Sequence, residues 1–148
     1  MKKLFLLLFI AVVSLNAAGF WTLTGVTKAN VYVKNDVSLL KPDTIKTIKE
    51  KMYTALKNLG IQTKVQDSPT LMVVMEDLDD DGTHYVYVKL ALGEEVQTYR
   101  ADKSSTFSLT YADNDFIDVD LDELDSGVLE SVDFLLSQFS EHFNDDKD

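Results

Sequence analysis

The chain of 148 residues contains no cysteine. Disulfides are therefore absent, and stability has to come from packing. Thiol catalysis and cysteine-based metal sites are excluded. Histidine is scarce too. His84 and His142 are the two in the chain, and neither has a second ligand at zinc spacing. His142 falls near the end of a helical pattern, where a helix C-terminus favours it. The glycines Gly19, Gly25, Gly60, Gly82, Gly93 and Gly127 are scattered, so no phosphate-cradling loop is present. No serine stands in a nucleophile-elbow pattern. Positive charge is sparse in the second half. From Glu76 onward there are 4 basic and 21 acidic residues, a balance of −17. Nucleic acid is excluded, because a phosphate backbone needs a basic groove.

One apolar run stands out. "MKKLFLLLFIAVVSLNAAGFW" pairs Lys2 and Lys3 with an apolar stretch from Leu4 to Leu15, followed by Ala17, Ala18 and Gly19. The run is shorter than the ~20 residues of a spanning helix. Its pattern is that of a secretory signal peptide over 1–18, cut near Ala17 or Ala18. The two-lysine start has a bacterial look, and the expected location is the periplasm. No cysteine follows the run, so a cysteine-linked lipid anchor is not expected. No later stretch reaches membrane length. Residues 19–143 then make one domain, large enough for an ordinary core, and 144–148 an acidic, disordered tail.

Charge divides the domain. From Gly19 to Met75 there are 8 lysines and 4 acidic residues, a balance of +4. Lys46, Lys49 and Lys57 lie off the apolar stripe of the first helix and read as a solvated basic face. The acidic half favours solubility or a cationic partner.

The order of elements points to an α+β fold. "ANVYVKND" (29–36) is β-branched and short, a first strand. "LKPDTIKTIKEKMYTALKNLG" is a helix. Pro42 and Asp43 suit its start. Ile45, Ile48, Met52, Ala55, Leu56 and Leu59 form its stripe, and Gly60 is its stop. "IQTKV" (61–65) suggests a short strand and "TLMVVME" (70–76) a central one. "HYVYVKLAL" (84–92) alternates, with Val86, Val88, Leu90 and Leu92 on one face and Tyr85, Tyr87 and Lys89 on the other. Gly93-Glu94 fits a hairpin turn, which would bring "EVQTYR" (95–100) back. "TFSLTYA" (106–112) alternates with Phe107, Leu109 and Tyr111 on one side. "DND" (113–115) reads as a turn before a last strand, "FIDVD" (116–120). A second helix follows, with Leu124, Val128, Val132, Leu135, Leu136, Phe139 and Phe143 as its stripe. Asp120 with Glu123 makes a capping-box spacing at its start. The expectation is an antiparallel sheet of about five strands with an N-terminal and a C-terminal helix on one face. The tyrosine face would then be left toward solvent or a partner.

Three sites follow. "DLDDDG" (77–82) puts Asp77, Asp79, Asp81 and Gly82 at the first, third, fifth and sixth places of a calcium loop, with the Thr83 carbonyl as a further ligand. The twelfth place, which needs a bidentate Glu, is Val88. Asp-Gly is also a hairpin signal, and the plain acidic turn is the reading the residues favour. Asp118 and Asp120 share a face of the expected last strand, about 7 Å apart at ~3.3 Å per residue. That pair opens a carboxylate-dependent hydrolase as a further reading, although an acidic strand next to a turn is more often a solvated edge. Tyr85, Tyr87 and Lys89, with Tyr99 brought across by the Gly93 turn, share a face that is either an exposed aromatic patch suited to a protein partner or one covered by a helix or the N-terminal segment. No cofactor is implied, calcium at the acidic turn apart.

The succession "helix–LGIQTKV–DSPTLMVVME–DDDG–THYVYVKLAL–EVQTYR–SVDFLLSQF", spanning about 29–143, resembles small envelope domains of the ABC-transporter auxiliary and curli-secretion-lipoprotein type. The resemblance is one of order and spacing. It implies a non-catalytic accessory or assembly role in the cell envelope, with an envelope protein or complex as partner. Those domains are mostly lipoproteins, and this chain lacks their anchoring cysteine. The resemblance carries over no site residues.

Overall fold

The computed structural model describes residues 22–80, 83–118 and 120–147, without the side chains of residues 79, 80, 83 and 84. The expected signal peptide and its cleavage point lie outside these residues. Four strands and two helices follow in the order β1 (Asn30–Asp36), α1 (Pro42–Asn58), β2 (Thr70–Asp80), β3 (Thr83–Gln97), β4 (Ser105–Ile117) and α2 (Leu124–Asp145). The sheet has the order β1-β2-β3-β4. β1 and β2 are parallel, and the other neighbours are antiparallel. The fold is thus α+β with a mixed four-stranded sheet, not an antiparallel sheet of five. The reason is α1. Two strands joined through a 17-residue helix can lie parallel, whereas a tight turn forces them antiparallel. "IQTKV" is not a strand; it contributes one bridge, Lys28 to Gln62.

α1 forms where its stripe predicts. Ile48, Met52 and Leu56 are fully buried, with Ile45, Ala55 and Leu59 partly buried against the same core. Its C-terminus closes with two backbone bonds, Ile61 N to Leu56 O at 2.9 Å and Gly60 N to Lys57 O at 3.0 Å. Gly60 sits at φ +76°, the left-handed conformation this closure requires. Buried Leu56 and Ile61 accompany it, as this motif favours. The N-cap residue, Lys41, supplies no side-chain cap. The cap comes from α2 instead. Asp125 Oδ1 accepts the Lys41 amide at 3.1 Å and the Thr44 hydroxyl. Its other oxygen meets Lys41 Nζ at 2.7 Å.

All seven expected stripe residues of α2 are buried. The capping box is not made: the N-cap is Glu123 without a side-chain bond, and its amide bonds the Asp120 carbonyl at 2.9 Å. The helix runs two residues into the expected tail. Beyond it, Asp146 Oδ2 accepts the Leu23 amide at 2.6 Å, and Lys147 Nζ stands 4.3 Å from the Phe143 ring centre.

Both helices pack on one side of the sheet, α1 against β1 and α2 against β3 and β4. Between them lie Leu71, Val73 and Met75 of β2 and Val86, Val88, Leu90 and Leu92 of β3. The alternation read from "HYVYVKLAL" holds. The turns expected after it do not. β3 continues unbroken through Gly93 and Glu94, and β4 continues unbroken through 113–115. The irregularity is a bulge. Leu92 pairs with Tyr111 but Gly93 pairs with Leu109, which leaves Thr110 as the extra residue. Thr110 is held from both sides, its hydroxyl donating to Glu94 Oε1 at 2.6 Å and its carbonyl accepting the Thr22 amide at 3.0 Å.

The bulge changes which way β4 side chains point. Tyr111 enters the core, while Phe107 stays 63% exposed, so the two do not share a face as their spacing suggested. Phe107 lies over Gly93. A Cβ at that position would clash with the Phe107 ring and meet Met72 Cε at 3.0 Å.

Tyr111 packs edge-on to Phe139 with ring centres 5.2 Å apart. Its hydroxyl is buried without a hydrogen-bond partner among the described residues. Burial pushes its ionisation up strongly, and Asp113 adds to this. A buried unpaired hydroxyl costs stability that a phenyl ring does not. Tyr111→Phe is therefore expected to raise stability by about 1 kcal/mol, read as a higher urea midpoint at unchanged slope. A loss of that size would mean that the hydroxyl has a bound water or other partner.

Candidate partner-binding face

The strand register assigns the face turned away from the helices. Tyr87 pairs with Glu76 and Tyr85 with Leu78. On the other side Tyr87 pairs with Phe116 and Lys89 with Asn114. On β1, Tyr32 and Lys34 pair with Met72 and Val74. Strand alternation puts these residues on one surface. Neither α1 nor α2 covers it, because both lie on the opposite side. Tyr32 is 51% exposed, Phe116 59% and Leu78 40%. Tyr85, Tyr87 and Lys89 are half-buried by their neighbours.

The centre of the face is aromatic. The rings of Tyr87 and Phe116 meet with centres 4.9 Å apart at an interplanar angle of 43°. Burial, with the Glu76 carboxylate beside it, raises the ionisation of Tyr87 above its ordinary value. The phenol offers a hydrogen-bond donor. A charged strip borders the rings. Lys34 Nζ binds Asp36 at 2.6 Å and reaches Glu76 at 3.6 Å. The face offers rigid aromatic area with a polar margin, the composition of a contact anchor.

The structure brings Tyr85, Tyr87 and Lys89 together as expected and leaves Tyr99 out. Because β3 does not turn at Gly93, Tyr99 lies beyond its end, fully exposed in the loop leading to β4. Two aromatic residues of this face were missed, Tyr32 and Phe116. Phe116 could have been found by extending the alternation of β4 through "DND" instead of stopping there.

At the acidic turn, Asp77 belongs to β2, opposite buried Val86. Its Oδ2 accepts the Ser38 amide at 3.0 Å. Asp80 pairs with Thr83 across the turn. Asp81 and the side chains of Asp79 and Thr83 lie outside the described residues. Among those described, no three acidic or histidine side chains converge to hold a metal ion. Asp118 and Asp120 follow the end of β4 instead of lying on a strand, and both are exposed. The His84 side chain is outside the described residues, and the His142 ring packs 5.7 Å from Tyr111. Among the described residues, no helix is long and apolar enough to cross a membrane.

No protein-family model and no curated protein matches the chain. Among solved structures it is similar to a minor lipoprotein from Acinetobacter baumannii, with 13% sequence identity, 82% of this chain and 95% of that chain covered, and a TM-score of 0.35.

Proposed function

We propose that this is an exported, non-catalytic accessory protein of the bacterial cell envelope, which holds an envelope protein partner on the open face of its sheet. The observation that carries the reading is the one-sided packing. Both helices cover the same face, and the other presents Tyr32, Tyr85, Tyr87 and Phe116 around a preformed aromatic pair. Rigid tyrosines make contact area at low entropic cost. The "MKKLFLLLFIAVVSLNAA" start supports export.

The test is crosslinked capture from the periplasm with the tagged protein, partners being identified by mass spectrometry. The double variant Tyr85→Ala, Tyr87→Ala is expected to lose the captured partner. Its thermal unfolding is expected to stay cooperative, because neither side chain belongs to the buried core. Capture that persists in the double variant would reject this face. Loss of cooperative folding would mean that the tyrosines hold the fold itself together.

A further inference from the structure

A shallow cleft of about 400 Å³ lies where α2 meets the edge of β4, bordered by Asp115, Phe116, Asp118, Glu130, Ser131 and Phe134. Phe116 joins it to the open face, since the same ring contacts Tyr87. Three carboxylates border the cleft, and none has a basic partner among the described residues. This is unlike Asp125 and Asp133, which pair with Lys41 and Lys51. One Asp115 oxygen accepts the Phe116 amide at 2.9 Å; the other has no partner among the described residues. Phe134 is 52% exposed beside Glu130 and Ser131. Ser131 is 3% exposed, and its hydroxyl has no partner among the described residues. Ser140 on the same helix bonds the carbonyl four residues back at 2.7 Å. Ser131 does not, so its oxygen is left unpaired beneath the lining of the cleft.

These features select one chemistry. Unpaired carboxylates and a free hydroxyl oxygen accept hydrogen bonds, and two aromatic rings accept a cation on their faces. The carboxylates do not converge on a metal ion. A guanidinium is planar, carries five donors and stacks on aromatic rings, so it can serve acceptors set wide apart. We propose that this cleft receives an arginine side chain of the protein partner docked on the open face. The proposal rests on the partner-binding reading above and adds the partner's chemistry to it. The excess of negative charge after Glu76 draws a basic partner toward the same side.

The test is an NMR titration of the isotope-labelled protein with the capped peptide Gly-Ser-Arg-Ser-Gly and with its citrulline counterpart, which keeps the shape without the charge. The arginine peptide is expected to shift the amides of Phe116, Asp118, Ser131 and Phe134. Citrulline should leave them in place. The variant Asp115→Asn, Glu130→Gln preserves side-chain shape and should bind the arginine peptide about tenfold more weakly, the scale of lost charge-assisted contacts. The distant variant Asp102→Asn, Glu141→Gln should bind as the parent does. Shifts spread over the acidic surface, equal binding of citrulline, or unchanged affinity in the cleft variant would each overturn the proposal. So would a homodimer that dissociates in the cleft variant, because the occupant would then be a second copy. The two readings fail separately. Partner capture lost with the tyrosines but kept in the cleft variant would retire the cleft alone. Peptide binding in the cleft with no partner captured would retire the envelope reading alone.

Discussion

Phe139→Ala is expected to destabilise the protein by about 3–5 kcal/mol, and Phe116→Ala by about 1 kcal/mol or less. The two substitutions delete the same atoms on opposite sides of one sheet. Phe139 is fully buried. It packs edge-on to Tyr111 and stacks against Phe143, with ring centres 5.2 and 6.4 Å away. Removing it leaves a cavity between α2 and β4 that the sheet cannot collapse to fill. Phe116 keeps more than half its surface in water, and its loss forfeits the contact with Tyr87. Urea unfolding of both variants measures the difference as a shift in midpoint at constant slope. The contrast tests one-sided packing, on which the partner-binding reading depends. Equal losses would mean that something covers the open face.

How much of this arrangement could be read from the sequence depends on what each signal encodes. Both helices were legible because their stripes repeat seven times or nearly so, and Gly60 marks a stop that only a left-handed residue completes. The inward and outward faces of "HYVYVKLAL" were legible because β3 is central and its core side is unbroken. The errors came from reading turn chemistry where pairing overrode it. Gly93-Glu94 resembles a hairpin, yet Gly93 is needed so that Phe107 can lie over the strand. "DND" resembles a turn, yet Asp113 and Asp115 occupy an edge strand, where carboxylates are easily hydrated and resist pairing with another chain. The parallel placement of β1 follows from the crossover through α1, a strand–helix–strand signal that the antiparallel expectation passed over. The candidate face was half legible. Tyr85 and Tyr87 follow from alternation within β3. Tyr32 and Phe116 are brought to them only by register across strands, and the bulge at Thr110 has no marker in its own residue type.

Asp125→Asn is expected to cost about 2 kcal/mol at neutral pH, and the cost should shrink in acid. One carboxylate here does the work of an absent cap. It accepts the Lys41 amide and the Thr44 hydroxyl, and it pairs with Lys41 Nζ. It thereby pins the start of α1 to the first turn of α2. The bonds from Lys41 and Thr44 hold its ionisation below the ordinary value of 3.8, although partial burial pulls the other way. The sign follows from linkage. A carboxyl whose pKa is lower in the folded state contributes stability that is fully present above its unfolded value. That contribution is lost as pH falls through the folded value. Asparagine keeps an oxygen for the Lys41 amide but carries no charge, so the parent should be the more stable protein at pH 7. The gap should begin to narrow near pH 4 and continue closing below it. Comparing the two proteins at each pH matters, because the remaining acidic residues act in the opposite sense. The stretch after Glu76 has a balance of −17, and protonating it relieves repulsion. That background is common to both proteins and cancels in the difference. A gap that stays constant from pH 7 to pH 3 would mean that Asp125 acts through packing and neutral hydrogen bonds, and that its charge does not hold the two helices together.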